Sequence, residues 1–328
     1  MLRAGIIGAG FIGKVHARSY PQVSGAQVVA VADPSRQRAA RLAKAFGADV
    51  YTDPWQLLKR RDLDMVDICA PTPLHHQYAI GAMRAGKHVL CEKPIARTLA
   101  QAKRTVEVWQ ETGVQFMVAH DLRFCPDYRR LKAVVDRGDI GQPQMAYAAR
   151  LSAFPNWSWQ NWYANEQLSG GLLVDMAIHD FDFLLWLLGP AQTVFTRGVK
   201  APNAHFHYAH ATVRFQSGAL ALIEASWAHP KGYRFRQTLE VMGTRGVVNL
   251  DSDSANSLVT VTSGGQRIEE SPLPEDDYVL EIRHFVDCLA RHQSPEIPPE
   301  EAISALALAL AARTSLLKGK PVAVPEAL

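Results

Sequence analysis

Cysteine is scarce in this 328-residue chain: there are four cysteines, and no two of them form a CxxC pair. This spacing favours neither a zinc site nor a disulfide framework. Cys69 and Cys91 lie in apolar runs, where a reduced cysteine behaves as a small hydrophobic residue, so we expect a reducing compartment. The sequence also lacks an apolar run of about 18 residues, and we therefore expect no membrane-spanning helix.

A strong excess of charge is missing as well. The chain has 35 Lys and Arg against 32 Asp and Glu, a formal net charge of +3, and no basic run concentrates it. Electrostatics therefore gives no reason to expect nucleic acid or a membrane as a partner. The amino-terminal residues run directly into a glycine loop and lack the features of a signal peptide, so we expect a cytoplasmic protein.

Short apolar runs alternate with helical segments over about the first 120 residues. Such runs are typical of strands buried on both faces of a parallel sheet. The alternation predicts a doubly wound α/β sheet of the Rossmann type with right-handed crossovers. The predicted strands are 4–7, 27–32, 65–70, 88–91 and 115–119, and the predicted helices are about 11–21, 35–46, 54–60, 75–85 and 98–111.

After about residue 122 the pattern becomes that of an α+β domain. Residues 211–215 alternate with period two, as a half-buried antiparallel strand does. One long helix is predicted at 168–188, since Gly189-Pro190 is a strong stop signal. We expect an open, mostly antiparallel sheet with helices on one face, and a division into domains 1–121 and 122–328. The strands are predicted at 143–153, 193–199, 209–216, 219–227, 235–242, 246–250 and 257–262, and the other helices at 127–137, 276–291 and 299–318.

A glycine motif, GxGxxG, spans residues 8–13, between the first predicted strand and the first predicted helix. In this context it is the fingerprint of a dinucleotide-binding loop. Gly8 would permit the tight turn, Gly10 would let the backbone approach the pyrophosphate, and Gly13 would let the helix pack closely. The helix would then offer its free N–H groups to the phosphates. A glycine-rich turn without a ligand is the alternative.

Asp33 ends the next predicted strand, 20 residues after Gly13. At this position a carboxylate accepts hydrogen bonds from the adenosine ribose, and its charge disfavours a 2′-phosphate. The sequence therefore predicts NAD rather than NADP as the cofactor. Arg36 and Arg38 lie close by and could accommodate the phosphate, so NADP stays possible.

Two further segments leave predicted strands at the edge where doubly wound sheets bind their ligands. One contains Pro71, Thr72 and His75, and the other contains Glu92 and Lys93. A Glu-Lys pair directly after a buried strand indicates charge that faces a cleft. A solvated loop with a chance ion pair is the alternative.

Together these residues, with Pro94, resemble the glucose–fructose oxidoreductase and inositol dehydrogenase (GFO/IDH/MocA) family. The resemblance continues through Gly170-Gly171, Asp175 and His179 and covers essentially the whole chain. It implies a Rossmann domain, an open-faced α+β domain, and a reaction on sugars, inositols or related compounds. It also implies a cis peptide before Pro94 and a homodimer or homotetramer formed through the open sheet. The predicted cofactor-binding residues are Gly8, Gly10, Phe11, Ile12, Gly13, Asp33, Pro71, Thr72, His75, Glu92 and Lys93.

Asp175 and His179 are spaced i, i+4, which places them on one face of a continuous helix. Oxidising an alcohol needs a base that accepts a proton near neutral pH, and histidine suits that role. We expect His179 to be the base, Lys93 to stabilise charge on the reacting oxygen, and Asp175 to orient the substrate. A structural histidine and a buried helix cap are the alternative for this pair.

Four other residues are weaker candidates for substrate binding: His120, Arg123, Tyr163 and Asp180. The resemblance places the first two beside the nicotinamide, whereas Tyr163 stands where family members often carry Arg. His205, His207 and His210 lack an acidic or cysteine companion, so no metal is predicted.

The leading function is an NAD-dependent dehydrogenase that oxidises a secondary hydroxyl of a cyclic polyol or sugar to the ketone or lactone. The alternatives are an NAD-dependent glycoside hydrolase that uses transient oxidation, and a non-catalytic dinucleotide-binding sensor.

Overall fold

A computed structural model describes residues 1–156, 158–201 and 205–326. The chain forms two compact units. The first comprises Met1–Asp121 and Asp276–Ile303, and the second comprises Leu122–Glu275 and the described residues from 304 to 326. The division into domains 1–121 and 122–328 stays a prediction; the structure adds that a carboxy-terminal segment lies with the first unit.

The first unit is built on a parallel sheet of six strands in the order β3-β2-β1-β4-β5-β6, within residues that are all described. This order and direction confirm the predicted Rossmann architecture. Its third strand was not predicted, because three residues are too few to show a periodicity. The strands are β1 Leu2–Ile7, β2 Ala26–Ala32, β3 Asp49–Tyr51, β4 Met65–Ile68, β5 His88–Glu92 and β6 Phe116–Ala119.

Five helices connect these strands, and three of them begin with a capping side chain. Ser35, Asp53 and Thr98 each accept a hydrogen bond from a backbone N–H in the first turn of the helix that follows. Such caps satisfy donors that the helix itself leaves free. The helices are α1 Phe11–Ser19, α2 Arg36–Ala43, α3 Pro54–Leu58, α4 His75–Arg84 and α5 Leu99–Thr112.

The second unit contains a mixed sheet in which nine strands can be traced through the described residues, in the order β14-β13-β12-β11-β7-β10-β9-β8-β15. Only the β10–β7 pair is parallel among the pairings described, so the predicted, mostly antiparallel sheet is confirmed. The strands are β7 Pro143–Ala153, β8 Ala191–Lys200, β9 Phe206–Phe215, β10 Leu220–His229, β11 Arg236–Gly243, β12 Gly246–Asp251, β13 Leu258–Thr262, β14 Arg267–Glu270 and β15 Val322–Ala323.

Side chains alternate between the two faces of this sheet. On β10, Ala221, Ile223 and Ala225 are buried, whereas Leu220 and Leu222 are exposed. This alternation is the signature of a sheet that is covered on one side only. The exposed face carries large apolar residues from neighbouring strands: Met145, Tyr147, Leu220, Leu222 and Met242.

The single helix predicted at 168–188 is wrong: the structure has three shorter helices there. Gly170 and Gly171 adopt φ of +89° and +76° and end the first of them, since only glycine takes such angles without strain. The second break lies at 176–177, where the Ala177 N–H donates to the Leu172 carbonyl, five residues earlier. The helices of this region are α6 Pro126–Asp136, α7 Glu166–Ser169, α8 Leu172–Asp175 and α9 Ile178–Leu188.

Two helices close the chain, α10 Asp277–Arg291 and α11 Pro299–Lys318, close to the predicted bounds. α10 packs against α1 within the first unit. None of the helices in the described ranges combines the length and apolarity needed to cross a bilayer.

Candidate active site

The glycine loop joins β1 to α1, and two of its glycines are required by its own packing. Gly8 has φ of +105°, and a Cβ there would lie 2.4 Å from the Cys69 carbonyl oxygen. A Cβ on Gly13 would lie 2.0 Å from the Gly8 carbonyl oxygen. A Cβ on Gly10, by contrast, would meet no described atom within 4 Å. Packing therefore does not explain Gly10, whereas a pyrophosphate that approaches the backbone does, and the loop fits a dinucleotide.

The first residues of α1 complete the predicted pyrophosphate site. Phe11 is exposed and Ile12 is half-buried, and the first turn of the helix contains no acidic side chain. An acidic group there would compete with a phosphate for the free N–H groups at the helix start. The glycine loop and the start of α1 therefore suit the negative charge of a pyrophosphate.

Asp33 follows β2 and is nearly buried, with 4% exposure. Its Oδ2 accepts a hydrogen bond from the Ala9 N–H at 2.9 Å, which ties it to the glycine loop. Its Oδ1 accepts from the Ser35 N–H at 2.8 Å and from the Arg38 guanidinium at 2.7 Å. Oδ2 keeps a further lone pair for a ribose hydroxyl, so the predicted contact is compatible with this geometry.

His75 connects the two loops that leave the sheet at β4 and β5. It is buried, with Nδ1 2.8 Å from the Pro94 carbonyl oxygen and Nε2 2.7 Å from the Ala70 carbonyl oxygen. Burial lowers the pKa of its imidazole. Thr72 is buried beside it, whereas Pro71 is half-buried. His75 therefore fixes the separation of the two loops, and its contact with the cofactor stays a prediction.

Glu92 is the last residue of β5 and turns into the protein. Its Oε1 lies 3.0 Å from His16 Nε2, and its Oε2 accepts a hydrogen bond from the Lys93 N–H at 3.1 Å. Lys93 is half-buried, and the peptide between Lys93 and Pro94 is cis, which confirms the expectation from the resemblance. Sequence reasoning missed His16, whose only signal was its position three residues after Gly13, on the helix that the glycine loop opens.

Asp175 and His179 lie on either side of the break at 176–177. Asp175 is the last residue of α8 and is nearly buried, and His179 is the second residue of α9 and is half-buried. The predicted continuous helix does not join them, so the shared face inferred from i, i+4 spacing does not follow. The break places both residues at helix ends within one short stretch of the second unit.

Two buried ion pairs hold the start of α9. Arg150, on β7, donates to both oxygens of Asp180, at 2.9 and 3.1 Å. Arg123 donates to both oxygens of Asp182, at 2.8 and 2.7 Å. Parallel bonds of this kind fix orientation as well as distance. Arg123 and Asp180 thus have strong internal partners, and their role in substrate binding stays a prediction. Arg150 was not a candidate, because nothing in its strand pattern marks it.

The remaining candidates are His120, Tyr163 and the three histidines between residues 205 and 210. His120 is buried, just after β6. Tyr163 lies in a short 3-10 helix, Trp159–Ala164, and stacks on Trp162 with ring centroids 4.2 Å apart. The three histidines of the 205–210 stretch have different neighbours: Glu166 for His205, the Phe154 ring for His207 and Tyr208 for His210.

Similarity to known proteins extends over the whole chain. The family described as "Oxidoreductase family, NAD-binding Rossmann fold" matches residues 2–120, and the "GFO/IDH/MocA C-terminal domain" matches residues 128–249. The chain is 32% identical to inositol 2-dehydrogenase of Rhizobium meliloti, covering 98% of this chain and 99% of that one. It is 30% identical to scyllo-inositol 2-dehydrogenase (NAD(+)) of Bacillus subtilis, covering 98% and 96%.

Among solved structures, levoglucosan dehydrogenase in complex with NADH superposes with a TM-score of 0.89 at 25% identity, covering 99% of both chains. The glycine loop with its open Gly10, the carboxylate of Asp33 and the two matched domains all agree with one assignment. The chain belongs to the GFO/IDH/MocA family of oxidoreductases, whose first domain is an NAD-binding Rossmann fold.

Proposed function

We propose that this protein is an NAD-dependent dehydrogenase that oxidises a secondary hydroxyl of a cyclic polyol of the inositol type, or of a sugar, to the ketone or lactone. The observation that carries the proposal is full-length similarity to enzymes named as inositol 2-dehydrogenases, together with an intact Lys93, Asp175 and His179. Similarity to a levoglucosan dehydrogenase supports the sugar part of this substrate class.

The chemistry requires a hydride to leave carbon and a proton to leave oxygen, so that alcohol and NAD⁺ give carbonyl compound, NADH and a proton. Bound NAD⁺ would accept the hydride. The residues that would hold it are those of the glycine loop, with Asp33 on the ribose. The protein itself must then supply a base for the hydroxyl proton and a positive group for the charge that develops on oxygen.

His179 is the proposed base. His179 lies near the start of α9, and its side chain is half-buried and therefore partly accessible. The ion pairs of Asp180 and Asp182 hold this part of the helix in place. Lys93 would donate a hydrogen bond to the reacting oxygen and stabilise its charge. Asp175 would orient the substrate hydroxyl. Lys93 belongs to the first unit and the other two to the second.

NAD rather than NADP is the proposed physiological cofactor. The Asp33 carboxylate would repel a 2′-phosphate, and Arg38, which could otherwise attract one, is already engaged with Asp33 at 2.7 Å. We expect the catalytic efficiency with NAD to exceed that with NADP by at least about tenfold. Equal efficiency with both cofactors would contradict this assignment. A cytoplasmic location is part of the proposal.

A homodimer or homotetramer formed through the open sheet of the second unit is also proposed. Met145 lies opposite Leu220, and Tyr147 lies opposite Leu222, so their exposed side chains form one continuous apolar surface. Surfaces of this kind on soluble proteins mark interaction sites. A monomeric mass by light scattering at micromolar concentration would contradict the proposal.

The test follows NADH absorbance while the protein and NAD meet a panel of inositols, aldoses and anhydrosugars. We expect turnover with at least one compound and a loss of about 100-fold or more in kcat for Lys93→Ala and His179→Ala. Retained NADH binding in both variants would show that the loss is chemical. Near-normal turnover in His179→Ala would overturn the assignment of the base. Release of a leaving group from a glycoside without net NADH would replace the dehydrogenase with a hydrolase.

A further inference from the structure

A buried polar cluster joins α1, β4 and β5, the elements next to the glycine loop and the loop that contains Lys93. Its centre is His16, on α1, whose side chain is fully buried. His16 Nδ1 lies 3.0 Å from Oδ2 of Asp67, on β4, and His16 Nε2 lies 3.0 Å from Oε1 of Glu92. The imidazole therefore lies between two carboxylates that come from two different strands.

This geometry sets the protonation state of the ring. A carboxylate only accepts hydrogen bonds, so a ring that bonds two carboxylates must carry a proton on both nitrogens. Burial, the largest single effect, lowers the pKa of His16, but Asp67 and Cys69 together raise it, and the pKa lies well above its ordinary value. A protonated imidazole between two carboxylates also offsets part of their buried negative charge.

Other titratable groups face the ring from the packed elements. Tyr20 donates its hydroxyl proton to Asp67 Oδ2 at 3.2 Å, and the Cys69 thiol donates to Asp67 Oδ1 at 3.4 Å. From α10, the Tyr278 ring lies 5.6 Å from the His16 ring. Glu281, also on α10, is fully buried, and burial raises the pKa of its carboxyl well above its ordinary value, whereas the nearby His16 lowers it. His16, which bonds both carboxylates, supplies the positive charge that faces Asp67 and Glu92.

The cluster extends to Lys93 through Glu92. While Oε1 of Glu92 is held by His16, Oε2 accepts the backbone N–H of Lys93 at 3.1 Å. The Glu92 carboxylate thus links the His16 ring to the backbone N–H of Lys93. Since His16 is on α1, which begins at the cofactor loop, the cluster also ties that helix to the Lys93 segment.

We propose that His16 is a positioning residue for Lys93: as a protonated imidazole anchored on Asp67, it holds the Glu92 carboxylate, which fixes the Lys93 backbone. This inference rests on the proposed function, in which the Lys93 ammonium acts on the reacting oxygen. A displacement of about 1 Å in such a group costs about 100-fold in rate. His16 itself touches neither substrate nor cofactor in this account.

Two substitutions test the proposal, one at His16 and one at Glu92. His16→Gln removes the cation. Glu92→Gln keeps the shape but replaces one acceptor oxygen with an NH2 donor, so either the ring or the Lys93 N–H loses its acceptor. Tyr20→Phe is the matched control, because it removes a hydrogen bond from the same buried cluster at Asp67, away from Lys93.

The first readout is independent of activity and uses NMR of protein labelled with ¹⁵N-histidine and ¹⁵N-lysine. At pH 8 both ring nitrogens of His16 should show the shifts of a protonated imidazole. The Lys93 backbone amide should move upfield in His16→Gln and in Glu92→Gln, and stay in place in Tyr20→Phe. A neutral His16 ring, or a zinc ion bound stoichiometrically by His16, Asp67 and Cys69, would overturn the proposal.

The second readout is kinetic. His16→Gln should lower kcat by about 100-fold while the NADH dissociation constant changes less than about threefold, and Tyr20→Phe should change kcat less than about twofold. A folded His16→Gln variant with unchanged kcat, or equal losses in His16→Gln and Tyr20→Phe, would overturn the proposal. If the wild-type protein oxidises no polyol or sugar, the proposed function fails, and the NMR shifts still decide the role of His16.

Discussion

The Arg150–Asp180 pair offers the sharpest test of how the second unit holds the segment that carries His179. Both side chains are nearly buried, with 3% and 2% exposure, and they share two hydrogen bonds of 2.9 and 3.1 Å. Asp180 directly follows His179 on α9. The perturbation is Arg150→Met, which keeps the length and apolar stem of the side chain but leaves Asp180 without this cation.

The magnitude follows from the burial. Removing one partner of a buried ion pair costs about 3–5 kcal/mol, because the remaining charge stays desolvated and uncompensated. Replacing both partners with uncharged residues restores much of this loss. We therefore expect the double variant Arg150→Met with Asp180→Ala to be less destabilised than the sum of its single variants, by at least about 2 kcal/mol.

The assay is denaturant unfolding followed by tryptophan fluorescence, since five of the seven tryptophans lie between residues 157 and 227. The control is Arg236→Met, which breaks a more exposed pair with Asp251, 38% and 26% exposed. That pair should contribute less than about 1 kcal/mol. Equal destabilisation by Arg150→Met and Arg236→Met, or additive single variants in the buried pair, would refute the reasoning.

Three further predictions concern the cofactor loop, the pH dependence and the open sheet. Gly10→Ala should weaken NADH binding by at least about tenfold with little change in stability, whereas Gly8→Ala should lower the melting temperature, because its Cβ meets the Cys69 carbonyl. Burial raises the pKa of Asp277 to about 7, from an ordinary value of 3.8. The folded state therefore holds its proton more tightly, and the free energy of unfolding should fall as the pH rises from about 4 to about 7. Denaturant unfolding of Asp277→Asn at pH 5 and 8 should show a smaller fall. Leu222→Lys should reduce the oligomer mass measured by light scattering, since it places a charge in the exposed apolar surface.

Much of the first unit could be predicted from the sequence because its signals are local. Buried parallel strands are continuous apolar runs, and the GxGxxG spacing between a strand and a helix has one common structural meaning. β3 was missed because Asp49–Tyr51 is too short to show a pattern. The position of α10 beside α1 was also missed, because a contact between segments so distant along the chain leaves no trace in local periodicity.

The site was harder to predict where partners come from distant segments. His16 reads as an ordinary residue of a helix, and only the fold places it between Asp67 and Glu92. Arg150 likewise could not be singled out from the sequence, because its partner Asp180 lies 30 residues later. The helix at 168–188 was predicted as continuous because its apolar pattern persists through 176–177, where the break is made by backbone hydrogen bonding rather than by a glycine or proline.

The most direct test of the central claim is the stoichiometry of the reaction with the best compound of the inositol and sugar panel. The account predicts one NADH formed for each molecule of product, and a product mass lower than that of the substrate by two hydrogens. A product formed without net NADH, or a mass that reports hydrolysis, would contradict the assignment of this protein as a dehydrogenase.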